Sequence, residues 1–401
     1  MGVLRLKRAA ISIFCAAVLA LAWTGCGGDY NGGGGNQPTT SKLTNRAFVT
    51  NSFTGALQII DTKFDRNTAF QTSVGSTPTQ ALLSKDKSLI VVYASGSQSF
   101  TAYDPTKEVV SGSVGLAGAT ESAILSEDGK FLYAAEKNAV VTGQPNGAVQ
   151  VISLKESTST VSPIPVQSVR WIALNHAGNV LLAFSDQSDT VTKVDPTATT
   201  VTPVSVAGPF DRPIAAYFSS DDTKAYILNC GPECGGTTSS VTELTISNGT
   251  TRNVPVSAAS IGLLDGTNLY VAGAPNAVGG TLQVVDTTAM TASTAKTISD
   301  GIHSVIMSAG GKIWVGARGC AANKGCLSVY NTSDQTVKID DPTGTAAAKG
   351  DVTGMTPIGG RNVVYVVEGG ELRVYDIASA TEITPVALDL VGKTYGVVAI
   401  P

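Results

Sequence analysis

The sequence is poor in charge and in chemistry. Asp, Glu, Lys and Arg together make 14% of 401 residues, against about 25% in an ordinary soluble domain. Lys and Arg total 27 against 31 acidic residues, and no basic block follows Arg8. That leaves no electrostatic footprint for a phosphate backbone, so nucleic acid is excluded as a partner. Only two histidines occur. No G-x-S-x-G, H-E-x-x-H, Walker sequence or Cys/His nucleophile pair is present, so neither a catalytic residue nor a cofactor nor a metal is assigned. No apolar run reaches the roughly 20 residues of a membrane-spanning helix. What is plentiful is glycine, 43 residues, which with sparse charge favours many short strands joined by tight turns.

The N-terminus delivers the protein rather than building it. Arg5, Lys7 and Arg8 precede AAISIFCAAVLALA, about 14 apolar residues in the layout of a secretory signal. Thr24-Gly25-Cys26 then places small residues before a cysteine, which resembles the lipobox of bacterial lipoproteins, with Trp23 where that family usually has Leu. The resemblance implies cleavage before Cys26, acylation of its thiol and of the new N-terminus, and membrane attachment. Gly27 rather than Asp after the cysteine implies the outer membrane or cell surface of a bacterial envelope. Residues 27–44 are Gly-rich with little to bury, a flexible tether. The expected division is a signal peptide over 1–25, lipidated Cys26 and tether over 26–44, and the working domain over 45–401.

One apolar strand recurs along that domain: AFVTN at 47, LIVVY at 89, FLYAA at 131, VLLAF at 180, AYILN at 225, LYVAG at 269, IWVGA at 313 and VVYVV at 363. Its central large residues are Phe48, Val91, Tyr133, Leu182, Tyr226, Tyr270, Trp314 and Tyr365, at intervals of 43, 42, 49, 44, 44, 44 and 51. An all-strand period of this size is that of a β-propeller blade. A second strand in most units ends at Asp61, Asp104, Asp195, Asp286, Asn331 or Asp376. These side chains are read as turn formers, because Asp and Asn hydrogen-bond their own following backbone. AFVTN, and SEDGK at 126, resemble the YVTN-type β-propeller repeat over about residues 45–401. The resemblance implies architecture and frequent cell-surface placement, with little chemistry; Ser153 and Ser247 stand where that family favours Asp.

TYGVVAIP at 394–401 reads as an innermost strand with nothing after it, while the head starts at AFVTN without one. The expectation is a single closed all-β propeller of eight four-stranded blades, the C-terminal strand completing the first, with seven blades as the alternative. From the strand column to the turn column there are 13 positions in units one, two and four, but 20 between Tyr133 and Ser153, 16 between Tyr270 and Asp286, and 17 between Trp314 and Asn331. Unit five inserts NCGPECGGTTSS at 229. These extensions share one face, the candidate recognition face.

Of six cysteines, Cys15 leaves with the signal and Cys26 is lipidated. Disulfides are expected at Cys230–Cys234 and Cys320–Cys326, since the crossed pairings would span an intervening blade; a four-thiolate metal site is the rival reading. His176 lies in a hairpin turn. His303 enters an innermost strand near the channel mouth, as do Glu121, Arg170, Arg212 and Tyr395, a mixed set able to hold a polar ligand. Asp221-Asp222 and Asp340-Asp341 are turn carboxylates with a weak claim on calcium. The expected function is a lipid-anchored, monomeric, non-enzymatic propeller that shows its loop face to a protein or glycan. A lactonase-like hydrolase at the channel mouth and a surface-layer component are the alternatives.

Overall fold

Burial explains the strand column first. The eight recurring strands run Arg46–Asn51, Ile90–Ala94, Phe131–Glu136, Leu181–Ser185, Lys224–Asn229, Asn268–Gly273, Lys312–Arg318 and Val363–Glu368, and nearly every residue within them is buried. Each is second from the centre of its sheet, and side chains on both faces meet a neighbouring sheet. Phe48 packs with Ile90, Val92 and Tyr103 on one side, while Ala47 and Val49 pack with Val363, Tyr365 and Val367 on the other. A strand covered on both faces reads as a continuous apolar run, which is why the period stands out.

In the computed structural model, which describes residues 40–401 apart from 155–158, 162, 276–278, 322–324, 341–348, 384–387, 389 and 391, eight antiparallel sheets follow one another around a ring. Residues Thr40–Pro401 form one compact unit. Blades 2 to 8 begin at Pro78, Ser122, Val169, Pro213, Ile261, Ile302 and Val352, each running outward from an innermost strand. Blade 1 is closed by the other end of the chain: Thr394–Ile400 pairs antiparallel with Arg46–Asn51, Ile400 opposite Arg46 and Val398 opposite Phe48. The expected eight-bladed ring is therefore observed, and seven blades is excluded. In blades 3 and 6 the outermost strand is split in two, at Ser159–Thr160 with Ile164–Pro165 and at Thr291–Ala292 with Lys296–Ile298.

Among the described residues there is no common core. Eight apolar clusters each lie between two successive blades, as where Leu182, Phe184 and Phe218 join blade 4 to blade 5, or Trp314, Val329, Val364 and Tyr375 join blade 7 to blade 8. Stability is thus divided into near-equal wedges, in the manner of repeat architectures. Between blades 8 and 1 polar contacts add to the wedge: Arg361 binds Asp65 and the carbonyl of Thr62, and the Tyr365 hydroxyl donates to Asp65.

The turn carboxylates act as expected. Asp61 accepts from the Lys63 amide, Asp104 from Thr106 and Lys107, Asp195 from Thr197, Asp286 from Thr288 and Ala289, and Asp376 from Ser379. At the same end of the blades, in the turns of the innermost hairpins, a second device recurs: Ser84, Ser126 and Ser219 donate to Asp86, Asp128 and Asp221 within 2.6–2.7 Å. Asp222 turns away from Asp221 and gathers the His176 ring at 2.6 Å with the amides of His176 and Ala177. His176, in its exposed hairpin turn as expected, also fastens blade 4 to blade 5. Asp340 accepts from Lys349 and Tyr375, and Asp341 lies outside the described residues. So do Cys26, the signal and tether residues before 40. The described end of that tether is pinned rather than free: Ser41 donates to Glu108, a buried carboxylate that also holds Arg46.

Candidate binding mouth of the channel

The innermost strands of six blades carry the same irregularity. Pairing with the second strand shifts between Val49 and Asn51, Pro78 and Gln80, Val169 and Trp171, Pro213 and Ala215, His303 and Val305, and Val352 and Gly354. A bulge adds one residue and re-aims its side chain, and bulges collect beside functional sites. Here the displaced residues are Thr79, Arg170, Ile214, Ser304, Thr353 and, in the closing strand, Tyr395. All six line one cavity of about 940 Å³ at the end of the channel where the innermost strands begin.

All five residues expected at the mouth, Glu121, Arg170, Arg212, His303 and Tyr395, lie on this cavity. Glu233, Cys234 and Gly235 of the blade 5 insertion join them, so the extended loops and the mouth belong to one face. The other extensions also connect second to third strands, over 136–148, 273–280 and 318–327. The two expected disulfides are formed, Cys230–Cys234 and Cys320–Cys326, with Cα separations of 5.6 and 5.7 Å. Among the described residues no group of His, Cys, Asp or Glu is arranged to hold a metal ion.

The two walls of the cavity differ electrostatically. On the side of blades 3 to 5, charges are paired. The Arg170 guanidinium donates to Glu121 at 2.7 and 2.9 Å and to Asp186 at 3.0 Å, and it lies 4.3 Å over the Trp171 ring. Lys137 also bonds Asp186, whose carboxyl is held below the usual range: burial works against that, and Lys137 and Arg170 outweigh it. Arg212, in the left-handed backbone region at φ 55°, donates to Asp189 and to the Gln187 carbonyl. Glu233 accepts from the Ala274 amide at 3.0 Å, and burial raises its carboxyl.

On the side of blades 7, 8 and 1, groups lack partners. Arg318 makes one hydrogen bond, Nη1 to the Tyr395 hydroxyl at 3.0 Å. Its Nε is buried without a partner, as are Ser304 Oγ and His303 Nδ1. Tyr395 is fixed in turn by its carbonyl, which accepts from Thr353 at 2.6 Å.

His303 borders the mouth but is only 3% exposed, and its Nε2 donates to the Ser299 carbonyl at 3.0 Å. Burial pushes its pKa down to about 4, so the ring is neutral near pH 7. Its slot exists because position 280 is glycine: a Cβ there would stand 2.6 Å from the imidazole and 2.0 Å from the Ser299 carbonyl. Glu121 is bound to Arg170 and is not a free base.

Sequence reasoning missed Arg318, Asp186, Glu233 and Ser304. Of these Glu233 carried a signal, as the residue before Cys234 in the insertion NCGPECGGTTSS.

No family model matches the chain, and none of the curated proteins does. Solved structures do resemble it. A dihydro-heme d1 dehydrogenase, NirN, superposes with a TM-score of 0.67 at 15% identity, over 88% of this chain and 75% of that one. The hydrazine synthase of Kuenenia stuttgartiensis gives 0.56 at 13%, over 75% and 95%. The periplasmic gluconolactonase PpgL of Pseudomonas aeruginosa gives 0.53 at 15%, over 89% and 99%. At such identities the likeness establishes the propeller fold and leaves the activity to the site.

Proposed function

We propose that this protein is a lipid-anchored binding propeller of the bacterial envelope, held through Cys26 at the outer membrane or cell surface, which takes a polar ligand or a partner's side chain into the channel mouth. The observation that carries the reading is the wall of unpartnered polar groups in a 940 Å³ cavity on the face that also bears every extended loop. That volume is in the range of small-molecule sites, and unsatisfied buried polar atoms are costly unless something else meets them. The same face shows solvent Phe53 and Val140, each 80% exposed, from two of its loops. The YVTN-like strand and the apolar leader with its small residues before Cys26 support surface placement.

The test uses full-length protein in detergent against an array of envelope glycans, small acids and peptides. Thr79→Trp and Ser304→Trp fill the mouth from blades 2 and 7. Loss of binding in both, with unchanged melting temperature, supports the reading; binding indifferent to both sinks it. Incorporation of labelled palmitate, lost in Cys26→Ser, tests the anchor.

A second reading is lactone hydrolysis, favoured by the likeness to PpgL and by the neutral, unpartnered Nδ1 of His303 at the cavity. Turnover of lactones that disappears in His303→Gln would favour it over pure binding.

A further inference from the structure

Eight arginines lie among the described residues, and seven of them hold a carboxylate: Arg46 with Glu108, Arg66 with Asp61, Arg170 with Glu121 and Asp186, Arg212 with Asp189, Arg252 with Glu243, Arg361 with Asp65, and Arg373 with Glu371 and Glu382. Arg318 is the exception. Among the described residues no acidic group stands within ion-pair distance of its guanidinium, and its one hydrogen-bond partner is a neutral phenol.

We propose that Arg318, with Tyr395 and Ser304, forms an oxyanion subsite that recognises a carboxylate or phosphate group on the ligand of the mouth. This rests on the reading of the mouth as a binding site and names the chemistry bound there. A guanidinium taken partly out of water without a counter-charge is costly, and its planar fork of N–H groups matches a carboxylate or phosphate. The neighbouring hydroxyls add donors of the right kind. Tyr395 accepts from Arg318 and so keeps its own hydrogen to give, and Ser304 Oγ has no partner. Both stand on bulges and border the cavity, in blades 1 and 7, with the Ser304 Oγ itself buried.

The backbone beneath Arg318 is held on three sides. Ile302 pairs with it across the strand, the following Gly319 amide donates to Asp351 at 2.7 Å, and the Cys320–Cys326 bridge closes the loop beyond. A cation is held ready, with its partner missing. The opposite wall, where Glu121 and Asp186 already engage Arg170, would meet the uncharged, hydroxylated remainder of the ligand.

The experiment titrates full-length protein with glucuronate, glucose 6-phosphate and glucose by calorimetry. The proposal expects at least one of the two acidic sugars to bind and glucose to bind roughly tenfold more weakly or not at all. Glucuronate alone identifies a carboxylate ligand, and glucose 6-phosphate alone a phosphate ligand. Arg318→Gln should cost roughly ten- to a hundredfold in affinity for the acid, Arg318→Lys less, and Tyr395→Phe less again, all with an unchanged melting temperature. Binding of acid and neutral sugar alike, affinity unmoved by Arg318→Gln, or failure of both acids at millimolar concentration would overturn it. If the mouth-filling variants abolish binding of a neutral ligand that Arg318→Gln leaves intact, the binding propeller stands and the oxyanion subsite falls.

Discussion

The wedges between blades and the mouth of the channel are made from the same strands, yet they follow opposite rules. In the wedges nearly everything is buried and matched: apolar side chains alternate toward the two neighbouring sheets, and the turns at the rim close on their own Asp and Asn side chains. At the mouth the innermost strands bulge, and on one side a histidine nitrogen, a serine hydroxyl and the Nε of Arg318 from the adjoining second strand are buried without partners. The difference shows that the ring does not need the mouth. Its closure is complete without Arg318 or Ser304, so the polar groups left over there are free to be judged by what they would bind.

Changes in the wedges should move stability and leave the mouth alone, and the largest effect belongs to Trp314. It is fully buried between blades 7 and 8, edge-on to Tyr375 with centroids 6.2 Å apart. Trp314→Ala should cost about 3–5 kcal/mol in denaturant unfolding. Affinity for any mouth ligand should be unchanged in the folded fraction; a loss of affinity there would mean that the two regions are coupled.

The bridges come next. Replacing either cysteine pair by serine should cost about 2 kcal/mol, the chain-entropy value for such short loops. The two should differ in function: loss of Cys320–Cys326 frees the loop after Arg318 and should weaken acid binding, while loss of Cys230–Cys234 should not. Equal effects would remove the claim that blade 7 is held ready.

Matching in the wedges is not complete, since Trp314 Nε1 is also buried without a partner, and two carboxyls there give a pH dependence. Glu136 and Glu368 occupy the same position of the strand column in blades 3 and 8, both are fully buried, and burial raises each to about 7. Glu368 accepts from the Tyr375 hydroxyl, which is flanked on its other side by Asp340 at 2.6 Å. One phenol hydrogen cannot serve both, so a protonated Glu368 resolves the contact. Since the folded state holds these protons more tightly than the unfolded chain, the contribution is whole below about pH 4.5 and is lost as pH rises through 7. Glu136→Gln and Glu368→Gln should each raise stability on the order of 1–2 kcal/mol at pH 8 and change little at pH 4.5. His303 works the other way, its lowered pKa costing stability as pH falls from 6.5 toward 4. Melting curves across pH 4.5–8 that do not flatten in the double Gln variant would refute the assignment.

The smallest effect should come from the paired wall. Glu121 is more than half exposed, and exposed ion pairs contribute about 0–1 kcal/mol. Glu121→Gln should leave the melting temperature within error and alter affinity less than Arg318→Gln does. If it matters more, the two walls have been ranked in the wrong order.

Much of this was legible beforehand because propeller packing writes itself into the chain. Two-sided burial made the strand column continuous from Phe48 to Tyr365, and the unmatched tail at 394–401 announced how the ring closes. Glu121, Arg170, Arg212, His303 and Tyr395 were found because they sit near the starts of innermost strands, a position countable from the repeat. The bulges were not countable, since a one-residue slip depends on the register adopted against the neighbouring strand. Ser304 and Thr353 therefore passed unnoticed. Arg318 was hidden for another reason: it is unusual only because seven other arginines are paired, a property of the folded set that no single position reveals. Glu136 and Glu368 looked like ordinary strand ends until both were seen buried.

The closing strand also sets an order of events. Until Thr394–Ile400 arrives, Arg46–Asn51 is an open edge whose amides and carbonyls invite any passing strand, although seven other blades are already whole. A chain interrupted a few residues early would carry nearly all of its packing and still be adhesive. The pairing of Thr394–Ile400 with Arg46–Asn51 is therefore what leaves blade 1 without an exposed inner edge.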